Sequence, residues 1–330
     1  MTTGNWELWR ALAAVADNPA DARTAAGALG IPVPDPAEHT EVFVLNCPPY
    51  ASIHLGAEGG IGGEGADRVA GFWRAIGLDP PAEPDHLSSL LALYAHLGEA
   101  GASVRHAVTA EALAHARAVL LWEHLWSWVP NWLDSVTDLG TETVGGWAEL
   151  TCAALQREAR SQPRGHLLPA ALRDAPPAVE PGCHTEDLLD ALISPLRSGF
   201  VLTRTSLARI AQQAGAGYRL GERRFALRAM LEQDRRAILT GLGTEAGRWS
   251  ARQARRPTDD PATKWWARRS AHTAAILAGD SDDGTTPALA QDYRNESIPT
   301  TGPFSAVLAV DPRNGAAPRL KTPPSAATSQ

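Results

Sequence analysis

Through the first half of this chain, apolar residues recur at intervals of three and four. That spacing gathers them on one face of an α-helix and limits the chain to a fold of packed helices. Trp6, Trp9, Leu12, Ala13 and Ala16 follow it, as do Val69, Phe72, Trp73 and Ile76, where Gly77 supplies a stop. Leu87, Leu90, Leu91, Tyr94 and Leu97 repeat it, with Gly98 and Gly101 read as the end of that helix. Leu113, Ala116, Leu120, Leu121, His124, Leu125, Trp128 and Leu133 predict one long helix over 109–136, kinked or broken at Pro130. A further helix is expected over 144–160.

Loops fall between these segments, at Asn46-Cys47-Pro48-Pro49-Tyr50, at 56–65 and at 79–83. A Pro-rich linker is expected at 175–183. It separates an all-helical domain, 1–174, from a smaller basic helical region, 184–278, with helices over 186–196, 206–215, 221–241 and 244–255. From 279 the composition turns to Asp, Gly, Thr, Pro and Ala, and a disordered tail is expected to 330, with 304–310 its only apolar run. The fold class is therefore all-α, and 330 residues suit about two domains.

Composition narrows the function. With 44% hydrophobic residues the chain can build a real core. Three cysteines, Cys47, Cys152 and Cys183, make neither a disulfide framework nor a zinc motif and read as thiols of a reducing compartment. Residues 5–17 lack the basic start and unbroken apolar run of a signal peptide, and no stretch is long and apolar enough to span a bilayer. A cytoplasmic location away from membranes is expected. Eleven of the twenty aromatic residues are Trp.

The net charge of −7 conceals blocks. Residues 1–196 carry 25 Asp/Glu against 10 Arg/Lys, a net −15, whereas 197–269 carry 16 basic and 6 acidic residues, a net +10. The acidic block favours cationic partners; the basic block favours anions or the acidic block itself.

Gly60-Ile61-Gly62-Gly63-Glu64-Gly65 satisfies GxGxxG with Asp85 twenty residues on, yet no strand–helix succession accompanies it, and it reads as a flexible loop. His54, His86, His96, His106, His115 and His124 form no metal motif, and no nucleophile elbow is present, so neither cofactor, metal nor catalysis is expected. Glu83-Pro84-Asp85-His86-Leu87 suits a capped helix start, and equally a polar pair, Asp85 and His86, projecting at the rim of a groove to meet a basic peptide.

Pro48-Pro49-Tyr50-x-Ser52, the Gly-rich loop, Val69…Trp73…Gly77-Leu78, Glu83-Pro84-Asp85-His86-Leu87 and Trp122-Glu123-His124-Leu125-x-x-Trp128-x-Pro130 occur in this order. The set, across roughly residues 5–160, resembles the signature of the TorD family, cytoplasmic chaperones of molybdoenzyme maturation. The resemblance implies an all-helical, non-catalytic chaperone whose partner is an apo-molybdoenzyme catalytic subunit, its twin-arginine signal peptide, or both. It implies that Tyr50, Ser52, Asp85 and His86 belong to the peptide-recognition region; Trp73 and Trp128 flank the motif segments and are added to it. Ala51 departs from the family, which has an acidic residue before the serine.

An acidic domain with Trp-bearing faces matches a peptide that carries arginines beside an apolar stretch. His86, ordinarily titrating near 6.5, is expected to tune that contact with pH. The alternative reading is a DNA-binding regulator: 202–211, a glycine-bearing connection and 222–227 have the flavour of a helix-turn-helix. The long connection disfavours nucleic acid, and docking of this region on the acidic block is the competing account.

Overall fold

The computed structural model describes residues 6–33, 35–162, 167–256 and 260–281, and all regular structure among them is helical. The tail expected from 279 falls, from 282 onward, outside the described residues, as does its apolar run. In chain order the helices are α1 (Trp6–Asp17), α2 (Pro19–Leu29), α3 (Pro36–His39), α4 (Ala51–Leu55), α5 (Gly63–Ala75), α6 (Leu87–Ser103), α7 (Ala107–Val119) and α8 (Val129–Asp138). There follow α9 (Glu142–Ser161), α10 (Ala170–Arg173), α11 (Thr185–Ile193), α12 (Pro195–Ser198), α13 (Arg204–Ala214), α14 (Arg223–Gln233), α15 (Arg235–Ala254) and α16 (Pro261–Ser281). α3 and α7 each run on into a wider π-helical turn, Thr40–Asn46 and Leu120–Leu125, closed by Cys47 N–H to Val42 O and Trp126 N–H to Leu121 O, both at 2.7 Å.

Three expectations need correction. The helix starting at Leu87 does not stop at Gly98. It continues to Ser103, because Gly98 serves packing: a Cβ there would lie 2.1 Å from the Trp6 ring. The long helix over 109–136 is three pieces, and at Pro130 the chain is broken, one of the two expected outcomes, rather than kinked. Pro130 sits in the first turn of α8, where no amide hydrogen is needed, and the chain breaks before it at Trp128. Finally, α2 and α16 are helices the periodicity does not reveal.

Two hydrophobic cores form. The first joins α1, α2, α4–α6 and α8–α10 around Trp9, Tyr94, Trp128, Trp132 and Trp147, all within 1% of full burial. Several of its tryptophans also act as cross-links, burying the ring while the indole N–H reaches a carbonyl. Trp132 donates to Cys47 O at 3.0 Å, Trp147 to Leu12 O at 3.1 Å and Trp266 to Ser127 O at 2.7 Å. The second core joins α11 and α13–α15 around Phe200, Leu227, Met230 and Trp249. Residues 175–183 carry no helix, and Val179 among them is fully buried in the second core.

α15 and α16 form an antiparallel hairpin, with Ser250 donating to Ala267 O and Gly243 facing Leu277. α16 belongs to both cores, through Trp265 and Trp266 at one end and Leu277 at the other. The basic block meets the acidic one through paired charges. Arg248 and Arg252 both grip Asp138 at 2.6 Å, Arg256 holds Asp134 at 2.6 Å, and Arg224 holds Glu186 and Asp190 at 2.6 Å. Beneath these pairs Gln253, fully buried, donates to Asn131 Oδ1 and Gly199 O and accepts from Ser270.

Candidate functional site

Pro48, Pro49 and Tyr50 run antiparallel to Asp85, His86 and Leu87. Leu87 N–H donates to Pro49 O at 2.8 Å and Ala51 N–H to Asp85 O at 3.0 Å, which makes an isolated β-bridge between Tyr50 and His86. The two prolines lack amide hydrogens, so at their positions the segment can only accept. α4 begins directly after this bridge. The Asp85 carboxylate caps it, Oδ2 accepting from Ser52 N–H at 2.9 Å, where the helix dipole favours negative charge.

His86 caps the neighbouring α6. Its Nδ1 accepts from Ser88 N–H at 3.2 Å and lies 2.6 Å from Ser88 Oγ, which donates to Asp17 at the end of α1 at 2.8 Å. A capping Nδ1 is unprotonated, and burial lowers the pKa of His86 against the opposing pull of Asp17, Glu83 and Asp85. His86 is therefore neutral near pH 7, and the titration expected to tune the contact moves to lower pH.

Tyr50 lies edge-on to His86, with ring centroids 4.8 Å apart, and donates its hydroxyl to Glu83 at 2.8 Å. Burial first, then Glu83, push its pKa up to about 12. Trp73 closes the corner by donating to Pro84 O at 3.3 Å. The Gly-rich loop is built in as well: Gly62 N–H donates to Ser52 Oγ at 3.1 Å, and a Cβ at Gly65 would fall 2.7 Å from Ser52 Cα. Those glycines serve a left-handed turn (Gly62 φ 91°) and the close approach of α5 to α4.

Five of the six expected residues, Tyr50, Ser52, Trp73, Asp85 and His86, thus share one hydrogen-bonded corner. Trp128 stands one layer deeper, stacked on His54 of α4 at 4.9 Å. Asp85 and His86 do not project as a rim pair; both are buried, their polar atoms spent on helix caps. The exposed carboxylates of the corner are Glu83, which binds Tyr50, and Asp17, with Glu58 and Asp79 on the adjoining loops and Glu64 in the first turn of α5. Asp17 joins through a bond spanning 71 residues of sequence, and no local pattern signals it. Among the described residues no group of three His, Cys, Asp or Glu side chains is placed to hold a metal, and no helix is long and apolar enough to cross a membrane.

The helix-turn-helix reading fares less well. α13 and α14 both form, but Arg224 and Arg228 are bound to Glu186 and Asp190, and Arg223 is set inward against Leu202 O at 3.1 Å. Nothing in this arrangement presents a row of arginines to phosphates.

No curated protein and no solved structure gives a significant match to the chain. Residues 4–134 match the family model described as nitrate reductase delta subunit, a segment that holds the whole corner and Trp128 and ends where α8 meets the arginines of the basic block. Over those residues the chain is similar to the nitrate reductase delta subunit family, a likeness that supports a TorD-like redox-enzyme maturation protein.

Proposed function

We propose that this protein, without catalysing a reaction itself, binds the twin-arginine signal peptide of an apo-molybdoenzyme catalytic subunit in the cytoplasm and holds it during assembly. The observation that carries the reading is the corner itself. The ordered motifs of the sequence converge there into one rigid assembly edged by exposed carboxylates.

In this reading Glu83, Asp17 and Asp79 meet the peptide's arginines, and Tyr50 and the exposed Ile61 border its apolar stretch. Ser52, Trp73, Asp85, His86 and Trp128 belong to the recognition region as positioning residues: they fix the ends of α4 and α6 and so the placement of Tyr50 and Glu83.

The test is fluorescence anisotropy of a labelled twin-arginine peptide against a twin-glutamine control. Wild type is expected to prefer the arginine peptide. Glu83→Gln, on the surface, and the pair Asp85→Ala with His86→Ala are each expected to weaken it by about tenfold. Equal binding by wild type and these variants would sink the assignment.

A further inference from the structure

Six arginines of the basic block have a carboxylate partner. Arg209 holds Glu245, Arg224 and Arg228 hold Glu186, Arg248 and Arg252 hold Asp138, and Arg256 holds Asp134. Among the half-buried ones, two at neighbouring helix starts do not. Arg204 and Arg223 form no ion pair among the described residues, and a partly desolvated guanidinium without a counter-charge is costly.

Their positions make the lack sharper. Arg204 is the first residue of α13 and Arg223 the first of α14, both at the positive ends of eleven-residue helices, where a cation is disfavoured. The two ends converge: Arg223 Nη1 donates to Leu202 O, immediately before the Thr203 cap of α13. Burial lowers the pKa of Arg223, and the charge of Arg204 adds to the effect. The Tyr218 hydroxyl, near Arg204, is buried and has no hydrogen-bond partner among the described residues.

Exposed apolar side chains occur close to these cations along the chain and on the turn bonded to the start of α13. Leu220 is 85% and Phe225 52% exposed on the α13–α14 connection and α14, and Val44 and Leu45 are 60% and 40% exposed on the π-helical turn. That turn is tied to the start of α13, since Asn46 Oδ1 accepts from the Thr205 hydroxyl at 3.1 Å. Exposed apolar side chains around unpaired cations have the composition of a protein-binding patch.

We propose that the converging starts of α13 and α14, with Arg204, Arg223 and the Tyr218 hydroxyl, dock an acidic peptide segment of a partner protein whose carboxylates are flanked by apolar side chains. The carboxylates complete the guanidiniums and the hydroxyl, and the apolar neighbours lie on Leu220 and Phe225 or on Val44 and Leu45. The charge of this partner segment is opposite to that of a twin-arginine signal, so the site is a second contact, independent of the corner at Asp85.

The experiment uses the full chain and a fluorescein-labelled peptide alternating Asp or Glu with Leu or Phe, its Asn/Gln isostere, inorganic phosphate and duplex DNA. The acidic peptide is expected to bind about tenfold or more tighter than the isostere, with the advantage shrinking as salt is raised. Arg204→Gln and Leu220→Ser, both at accessible positions, are each expected to remove most of that advantage while circular dichroism melts stay unchanged. Glu83→Gln is expected to leave it intact. Equal binding of peptide and isostere, or an unaltered affinity in both Arg204→Gln and Leu220→Ser, overturns the proposal. So does displacement of the peptide by phosphate or DNA at matched charge. Arg223→Gln is the inner counterpart; if it unfolds, the two surface variants decide.

Discussion

Trp132 packs between Phe43, Trp128 and Trp147 while its N–H holds the Cys47 carbonyl, so truncation removes both a ring and a cross-link. Trp132→Ala is expected to cost about 3–5 kcal/mol, read as a lower urea midpoint. The same burial acts on the histidines. It is the main cause that depresses His54 to about 3 and His124 to about 4. Below pH 6.5 the unfolded chain takes up protons that the folded chain refuses, so stability falls as pH drops towards those values. Each histidine contributes up to about 1.4 kcal/mol per pH unit in that window. Urea melts from neutral to mildly acidic pH should show the decline, and His124→Gln should flatten it. Cys47, pushed up to about 12 by burial, should resist thiol reagents in the native protein and react once urea unfolds it; immediate native labelling would contradict its placement. Among the site residues, the types and the order were legible in the sequence, but their exposure was not. Asp85 reads the same along the chain whether it points to solvent or caps a helix 33 residues away.

Where helices lie was largely legible, because an amphipathic face leaves a periodic trace: α1, α5, α6 and α9 fall where the spacing put them. The misses have physical causes. α2 is an Ala-rich run with little contrast between its faces, and α16 is buried on several sides by two cores, so its sequence carries no single stripe. Gly98 shows how an element's end can be misread. A glycine that permits helix contact looks, in isolation, like one that ends a helix. Gly98→Ala should therefore cost about 1–3 kcal/mol by forcing Trp6 out of α6, and Trp6→Val should restore most of it. A Gly98→Ala protein with an unchanged midpoint would remove that packing role.

At the scale of the molecule, the acidic and basic blocks meet through ion pairs at Asp134, Asp138, Glu186 and Asp190. Asp138 sits between Arg248 and Arg252; burial works against its charge, yet the two guanidiniums outweigh burial and hold the carboxyl below its usual range. Asp138→Asn should lower stability by about 1–2 kcal/mol, discounted for partial exposure, and reduce the sensitivity of the urea midpoint to salt. An unchanged midpoint would show that the pairs add nothing to the docking of α15 on α8. By itself the sequence determined the helical class and the order of the motifs that gather at the corner, since periodicity, motif order and charge blocks are written along the chain. Only the tertiary structure decided which polar groups face water. It put Asp85 and His86 beneath the surface, joined Asp17 to them, paired six arginines of the basic block with carboxylates and left Arg204 and Arg223 without one. The reason is physical: desolvation and ion pairing depend on neighbours brought from distant sequence, and no local pattern carries them.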